Sequence, residues 1–144
     1  MCKVYSLYKC ANTLHRKNVP VLPRVLYCVV RVLFGGHVPY TAQIGKGTWF
    51  GCGALGVVLH PDTVIGENCV IAQNVTIGGR ANLPEVPRLG NNVFVGAGAK
   101  ILGPVRIGDN VKIGANAVVI QDVPANATVV GIPARIVQDK QIGS

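Results

Sequence analysis

The sequence predicts an all-β solenoid, a parallel β-helix of six-residue repeats with a short helical arm before it. Three observations indicate this fold: an aliphatic residue followed by a small one recurs with a period of six, asparagines recur within the same frame, and the frame is interrupted twice. A short fixed period is typical of a solenoid, and a period of six is typical of a parallel β-helix. The aliphatic–small pairs include Ile65-Gly66, Ile71-Ala72, Ile77-Gly78, Leu89-Gly90, Val95-Gly96, Ile107-Gly108 and Ile113-Gly114.

The repeat predicts a columnar core. Three repeats would form one triangular coil, in which each aliphatic side chain points inward and stacks on its equivalents about 4.8 Å away along the axis. Continuing the frame backward reaches Val38 and Ile44, and continuing it forward reaches Val119 and Ala125. The chain then holds about a dozen repeats in roughly four to five coils, which is enough to bury a core.

Small residues beside the aliphatic ones allow the backbone to turn the corners of the coil. Glycine and asparagine adopt the unusual φ values that such corners require. The asparagines within the repeats are Asn68, Asn74, Asn91, Asn92, Asn110 and Asn116.

The repeat is interrupted twice. Between Phe50 and Gly56 the spacing is off by three residues, and Arg80–Arg88 reads as a nine-residue insertion with two prolines. Interruptions of a repeat usually map to loops, and loops often carry function. The two interruptions lie on either side of His60, the only histidine inside the repeats.

Composition narrows the classes of partner. The 144 residues predict one domain with a small appendage, and an apolar fraction of 49% with 14% charged residues predicts that some apolar surface meets a partner. The net charge of +8 favours anionic partners, either a phosphorylated small molecule or an acidic membrane surface. Nucleic acid is disfavoured, because the basic residues are scattered and the repeats contain few aromatic residues for stacking.

The five cysteines include no CxxC pair, and no secretory signal accompanies them. They therefore read as reduced thiols of a cytoplasmic protein, without a disulfide framework or a metal site.

The first 36 residues predict a separate helical arm, followed by the β-helix domain at 37–137 and a frayed polar tail at 138–144. One apolar face at helical spacing and a second apolar stretch, Val25–Phe34, indicate two helices separated by a turn at Pro20–Pro23. We expect the arm to pack on the end of the β-helix or on a neighbouring subunit. The alternative is peripheral contact with the inner face of an acidic membrane. The first apolar face comprises Val4, Leu7, Tyr8, Ala11 and Leu14.

Four motifs carry a resemblance to a known family: Val75–Gly79, Val95–Pro104, Ile113–Val119 and Val130–Ile136. In this order they resemble the hexapeptide-repeat acyltransferases, most closely the serine acetyltransferase branch, over roughly residues 37 to 137. The resemblance implies a left-handed β-helix, a homotrimer, and transfer of an acetyl group from acetyl-CoA to a hydroxyl. With its short arm the chain also resembles the relatives used in surface-polysaccharide assembly, in which the acceptor is a sugar hydroxyl.

On the acceptor side the chain departs from the family pattern. The family's catalytic histidine follows an aspartate just before a Gly-Val-Val stretch, and that place is occupied here by Gly51 and Cys52. The family's partner aspartate falls at about His37, and its substrate-loop histidine falls at Val86. The resemblance therefore extends to the donor side more fully than to the acceptor side.

The expected chemistry requires a general base, because the acceptor hydroxyl must lose its proton as it attacks the thioester, and imidazole is the usual choice. His15 falls in the arm and His37 at the start of the first coil, whereas His60 replaces a small residue of the repeat. We therefore predict His60 as the base, oriented by Asp62. The alternative is a surface histidine making a corner hydrogen bond beside a solvated aspartate. A nucleophilic role for Cys52 is less favoured, because no histidine adjoins it in sequence.

Small residues after the second interruption predict the donor site. We expect Gly78, Gly79, Ala97, Gly98 and Ala115 to form one corner along which the pantetheine arm hydrogen-bonds to the backbone. In the family this arm runs between subunits. The nucleotide phosphates would then contact three basic residues: Lys100, Lys112 and Arg135. The alternative interpretation is that these side chains are simply solvated at outward positions of the repeat.

The leading hypothesis is an acetyl-CoA-dependent O-acetyltransferase acting on a sugar hydroxyl or on L-serine. A second is a non-catalytic scaffold or CoA-binding protein that has lost the family's Asp–His pair. A third, a metal-bearing β-helix, is weak because only His37 and His60 are candidate ligands, so no metal is expected.

Overall fold

The computed structural model describes residues 2–137; the predicted tail at 138–144 lies outside the described residues. Two helices, α1 (Lys3–Arg16) and α2 (Leu22–Phe34), precede fourteen short strands. The first six strands are β1 (Gln43–Ile44), β2 (Trp49–Phe50), β3 (Val58–Leu59), β4 (Val64–Ile65), β5 (Val70–Ile71) and β6 (Thr76–Gly78). The remaining eight are β7 (Arg88–Leu89), β8 (Phe94–Val95), β9 (Lys100–Leu102), β10 (Arg106–Ile107), β11 (Lys112–Ile113), β12 (Val118–Val119), β13 (Thr128–Val130) and β14 (Arg135–Val137).

Successive strands visit three sheets in turn, which makes the chain a parallel β-helix, and the predicted fold class, a left-handed β-helix of hexapeptide repeats, is confirmed. Sheet 1 contains β1, β4, β7 and β10. Sheet 2 contains β2, β5, β8, β11, β13 and β14, and sheet 3 contains β3, β6, β9 and β12. Every pairing between these strands is parallel except that of β14 with β13, which closes the last coil.

The core is the predicted column of aliphatic side chains. The second residue of each two-residue strand points inward, and Ile71, Ile77 and Ile101 are completely buried. A second buried position lies two residues earlier, as at Val75 and Ala99. The two positions together fill the triangular interior over all four coils.

Asparagine turns most of the predicted corners. Asn91 is the exception: its φ is not positive, and its side-chain oxygen instead accepts a hydrogen bond from the Glu67 N–H at 2.8 Å. The corner residues with left-handed φ values between 54° and 63° are Asn68, Asn74, Asn92, Asn110, Asn116 and Asn126.

The strand register gives the number of residues that each interruption adds to its coil. Arg88 and Arg106 are partners 18 residues apart, which is the length of an uninterrupted coil. Gln43 and Val64 are partners 21 residues apart, so the first interruption adds the three residues that the sequence predicted. Val64 and Arg88 are 24 apart, so the second adds six residues and not nine, because three of the nine, including Arg88 of β7, take the places of an ordinary repeat.

The arm packs on the first coil, as predicted. Val4, Tyr8 and Ala11 of α1 are buried. The Tyr8 hydroxyl donates to the Ala42 carbonyl and accepts from the Ile44 N–H, 3.0 Å away. These bonds attach α1 to the start of the first coil. Among the described residues no helix has both the length and the hydropathy needed to cross a membrane.

Candidate active site

His60 lies at the corner between sheets 3 and 1, which we call the His60 corner; it comprises His60–Asp62 and Gly78–Gly79. Leu59 points into the core, so alternation turns the next side chain outward, and 39% of the His60 side chain is exposed. The His60 N–H donates to the Ile77 carbonyl at 2.8 Å, which places His60 beside Gly78 of the next coil.

Asp62 contacts the His60 ring in two ways. Its backbone N–H donates to His60 Nδ1 at 3.1 Å, and its Oδ2 lies 3.8 Å from the same nitrogen. When Nδ1 accepts, the neutral ring carries its hydrogen on Nε2. When Nδ1 donates to the carboxylate instead, Nε2 holds a free lone pair. The tautomer of His60 therefore depends on which Asp62 group the ring meets.

The surface over Gly78 and Gly79 is open. A Cβ atom built on either residue would meet nothing within 4 Å, and neither residue has a positive φ. The fold therefore does not require glycine at these positions, whereas a ligand that approaches the backbone would. The Gly79 N–H makes no hydrogen bond within residues 2–137. Gly98 differs, because its φ is +74° and a Cβ would lie 2.1 Å from Asn116 Oδ1.

The single donor corner predicted from the sequence is wrong. Gly78 is the last residue of β6 in sheet 3 and Gly79 follows it, whereas Ala97, Gly98 and Ala115 follow strands of sheet 2 and form the corner between sheets 2 and 3. The repeat alone cannot distinguish these corners, because a small residue follows the aliphatic one at each of them. The two groups therefore lie at opposite ends of the strands of sheet 3.

The three predicted phosphate-binding residues do not come together within this chain. Lys100 points outward from sheet 3, and its Nζ donates to the Asn74 carbonyl at 2.8 Å. Lys112 lies on sheet 2, and Arg135 lies on the closing strand β14. Successive repeats of the solenoid belong to different sheets, which separates the three charges.

The sequence reasoning did not single out Arg88 and Arg106. Both line a cavity of about 350 Å³ next to the His60 corner, together with Asp62 and the loop residues Pro84–Val86. The available signal was their common position immediately before an aliphatic residue, one coil apart.

His37 faces α2, not the His60 ring. Its Nδ1 is hydrogen-bonded to the Tyr27 hydroxyl and lies 3.1 Å from the nearest guanidinium nitrogen of Arg31. Burial lowers the pKa of His37, and the positive charge of Arg31 lowers it further. His37 therefore favours its neutral form.

Cys52 lies in the first interruption, within a short turn at Gly51–Ala54. It is exposed with a φ of 48°, and its sulfur forms no hydrogen bond to a histidine in the described part of the chain. Over residues 2–137 no three His, Cys, Asp or Glu side chains are grouped so that they could hold a metal ion.

Comparison with known proteins places this geometry in a family. The chain matches the bacterial transferase hexapeptide family over residues 41–79 and 87–121. It is 43% identical over 132 residues to a serine acetyltransferase of Synechococcus elongatus, covering 90% of this chain and 54% of that protein.

Two solved structures share the fold. Soybean serine acetyltransferase complexed with serine is 37% identical, with a TM-score of 0.85 over 93% of this chain and 56% of that one. Serine acetyltransferase of Brucella abortus in complex with coenzyme A is 32% identical, with a TM-score of 0.86 over 92% of this chain and 54% of that one. The chain thus spans about half the length of these relatives. It belongs to the bacterial hexapeptide transferases, in the serine acetyltransferase branch.

Proposed function

We propose that this chain is an acetyl-CoA-dependent O-acetyltransferase that acetylates the hydroxyl of a small acceptor. The observation that carries the proposal is the His60 corner, where an outward imidazole lies beside an open glycine surface in a member of this family. One related structure is a complex with serine and another is a complex with coenzyme A. These complexes support a hydroxyl-bearing acceptor and acetyl-CoA as the two substrates.

His60 is the proposed general base. The acceptor hydroxyl transfers its proton to Nε2 as its oxygen attacks the thioester carbonyl. For this step the ring must carry its other hydrogen on Nδ1, which requires Nδ1 to leave the Asp62 N–H and donate to Asp62 Oδ2. Asp62 is therefore a positioning residue, because its carboxylate selects the competent tautomer.

Gly78 and Gly79 are the proposed site for the thioester end of the donor. An oxyanion develops on the thioester oxygen during attack and needs a hydrogen-bond donor. The Gly79 N–H supplies one, because it has no partner within the described residues. Expulsion of CoA thiolate from the tetrahedral intermediate then leaves the acetyl ester on the acceptor.

The rest of CoA would lie over the outer surface of sheet 3. Lys100 lies on this surface between the His60 corner and the corner formed by Ala97, Gly98 and Ala115. Lys112 and Arg135 lie on other elements of this chain, so their predicted phosphate contacts would have to form from a neighbouring subunit.

The proposal is tested by release of CoA thiol from acetyl-CoA with L-serine and with a panel of sugars as acceptors. We expect transfer to at least one acceptor, and a loss of about 100-fold or more in kcat for His60→Gln. His15→Gln, which changes a histidine of α1, is the matched control. Wild-type kcat in His60→Gln would remove His60 as the base, and absence of transfer to every acceptor would contradict the function.

We also propose that the chain forms a homotrimer. Trp49 and Phe94, 51% and 46% exposed, lie in one outward column of sheet 2 and supply apolar surface for a subunit contact. Light scattering coupled to size-exclusion chromatography would give three times the chain mass. A monomer at micromolar concentration would contradict it.

Contact of the arm with a membrane stays a prediction. Val32 and Leu33 are 80% and 73% exposed on α2, on the same helix as Arg24 and Arg31. Co-sedimentation with vesicles that contain anionic lipid, but not with neutral vesicles, would support such contact. Equal co-sedimentation with both kinds of vesicle, or none with either kind, would contradict it.

A further inference from the structure

Arg88 and Arg106 form a pair of like charges on the outer surface of sheet 1. They are register partners on the neighbouring strands β7 and β10, and the buried residues Leu89 and Ile107 next to them show that both arginines point outward. Neighbouring strands lie about 4.8 Å apart, and like charges directly opposite one another destabilise a sheet.

No carboxylate of the described residues forms an ion pair with either arginine. Residues 2–137 contain five carboxylates, and none lies within 4.0 Å of either guanidinium. Two of them are engaged by backbone: Asp109 accepts from the Asn91 N–H at 2.7 Å, and Asp122 accepts from the Arg106 N–H at 2.8 Å. The outward column continues without an acidic residue through Val64 and Gln43.

The pair lines two adjoining cavities. The cavity of about 350 Å³ is also lined by two carboxylate residues, Glu85 and Asp62, and through Asp62 it begins at the His60 corner. The second cavity, of about 470 Å³, is lined only by Arg88, Leu89, Gly90, Arg106 and Ile107. The two cavities share both arginines, and the second contains no carboxylate, so an anion would bind between the two guanidinium groups where the cavities meet.

We propose that Arg88 and Arg106 bind an oxyanion of the acceptor, a carboxylate or a phosphate, while the acceptor hydroxyl lies at His60. Two guanidinium groups offer paired N–H donors whose geometry matches such oxygens. The bound anion also relieves a like-charge contact that no ion pair of the described residues relieves. The inference rests on the proposed acetyl transfer and adds that the acceptor is anionic.

The first experiment measures anion binding without CoA. Thermal unfolding is followed with and without inorganic phosphate or acetate at constant ionic strength, for the wild type, Arg106→Gln and Arg88→Gln. Lys46→Gln, which changes an exposed lysine outside this pair, is the control.

We expect phosphate to raise the Tm of the wild type and of Lys46→Gln more than that of either arginine variant. Without phosphate the arginine variants should unfold at or above the wild-type Tm, because removing one charge relieves the repulsion. Equal phosphate-induced shifts in all four proteins would overturn the site.

The second experiment compares L-serine, sugar phosphates and uncharged sugars as acceptors. We expect Arg106→Gln to raise the KM of the anionic acceptor about tenfold or more, with the KM of acetyl-CoA unchanged. Activity with serine or with a sugar phosphate distinguishes carboxylate from phosphate. An equal effect on charged and uncharged acceptors would overturn the inference. If no acceptor reacts, the proposed function fails, and the phosphate shifts still decide the arginine site.

Discussion

His60 Nδ1 accepts a hydrogen bond from the backbone N–H of Asp62 at 3.1 Å, while the carboxylate of the same residue lies 3.8 Å from that nitrogen. One residue thus offers the ring both a donor and an acceptor. In the observed arrangement Nε2 carries the hydrogen of the neutral ring. A small rotation towards the carboxylate would reverse the tautomer and free Nε2 to act as a base.

Substitution of Asp62 tests this relationship. Asp62→Ala keeps the backbone donor and removes the carboxylate, so we expect kcat to fall about tenfold to 100-fold with little change in the KM of acetyl-CoA. Asp62→Asn retains a side-chain carbonyl that can accept from Nδ1, and we expect it to keep more of the activity than Asp62→Ala. Equal kcat values for Asp62→Ala and the wild type would rule out the positioning role.

Substitution of two glycines, Gly79 and Gly98, tests which glycine is required for ligand binding and which for stability. Gly79→Ala should leave the Tm unchanged, because its Cβ meets open space, but should weaken CoA binding measured by calorimetry. Gly98→Ala should lower the free energy of unfolding by about 1–3 kcal/mol, because its φ is +74° and its Cβ would clash with Asn116 Oδ1. Full CoA affinity in Gly79→Ala would show that the open surface is not the donor site.

Two tyrosines of α1 provide a test of how the arm is held. Tyr8→Phe leaves the Ala42 carbonyl and the Ile44 N–H without their partner, so we expect a loss of about 1–3 kcal/mol in the free energy of unfolding. Tyr5→Phe is the matched control, because its hydroxyl is buried and makes no hydrogen bond to any described residue. Urea denaturation should show Tyr5→Phe at or above wild-type stability. Similar losses in both variants would contradict the assigned bonds.

His37 makes stability depend on pH. Its pKa is lowered in the folded state, so below the ordinary histidine pKa the unfolded chain binds more protons. Stability should therefore fall as the pH decreases from about 6.5 towards the lowered pKa, and should recover as the pH rises again. We expect His37→Gln to reduce this slope in denaturation curves between pH 7 and 5. His15→Gln, with the change on α1, should retain it, and an unchanged slope in His37→Gln would contradict the assignment.

The sequence predicted the column of the core and most of its corners. Ile71 and Ile77 are buried as the period required, and Asn68 and Asn74 adopt the left-handed corner conformation. These features are local, because each six-residue unit contains its own inward residue and its own corner residue. The three-residue length of the first interruption could be predicted from the sequence for the same reason.

The candidate site could be predicted from the sequence only in part. His60 could be singled out because a ring replaces a small residue, but its placement beside Gly78 depends on pairing between coils. The division of the small residues between two corners was missed, because Gly79 and Ala97 both lie two residues after an inward aliphatic residue but in repeats that belong to different sheets. The pairing of Arg88 with Arg106 was missed for a related reason, since a contact between coils joins residues 18 positions apart.

The sequence by itself therefore determined a β-helix with a helical arm, because burial of one aliphatic residue in six is a property of each repeat. The tertiary structure alone decided which side chains share a corner. That outcome depends on the pairing of coils, because an uninterrupted coil of 18 residues sets side by side residues that are three repeats apart in the chain. The register brings His60 beside the open glycine surface and leaves Arg88 opposite Arg106.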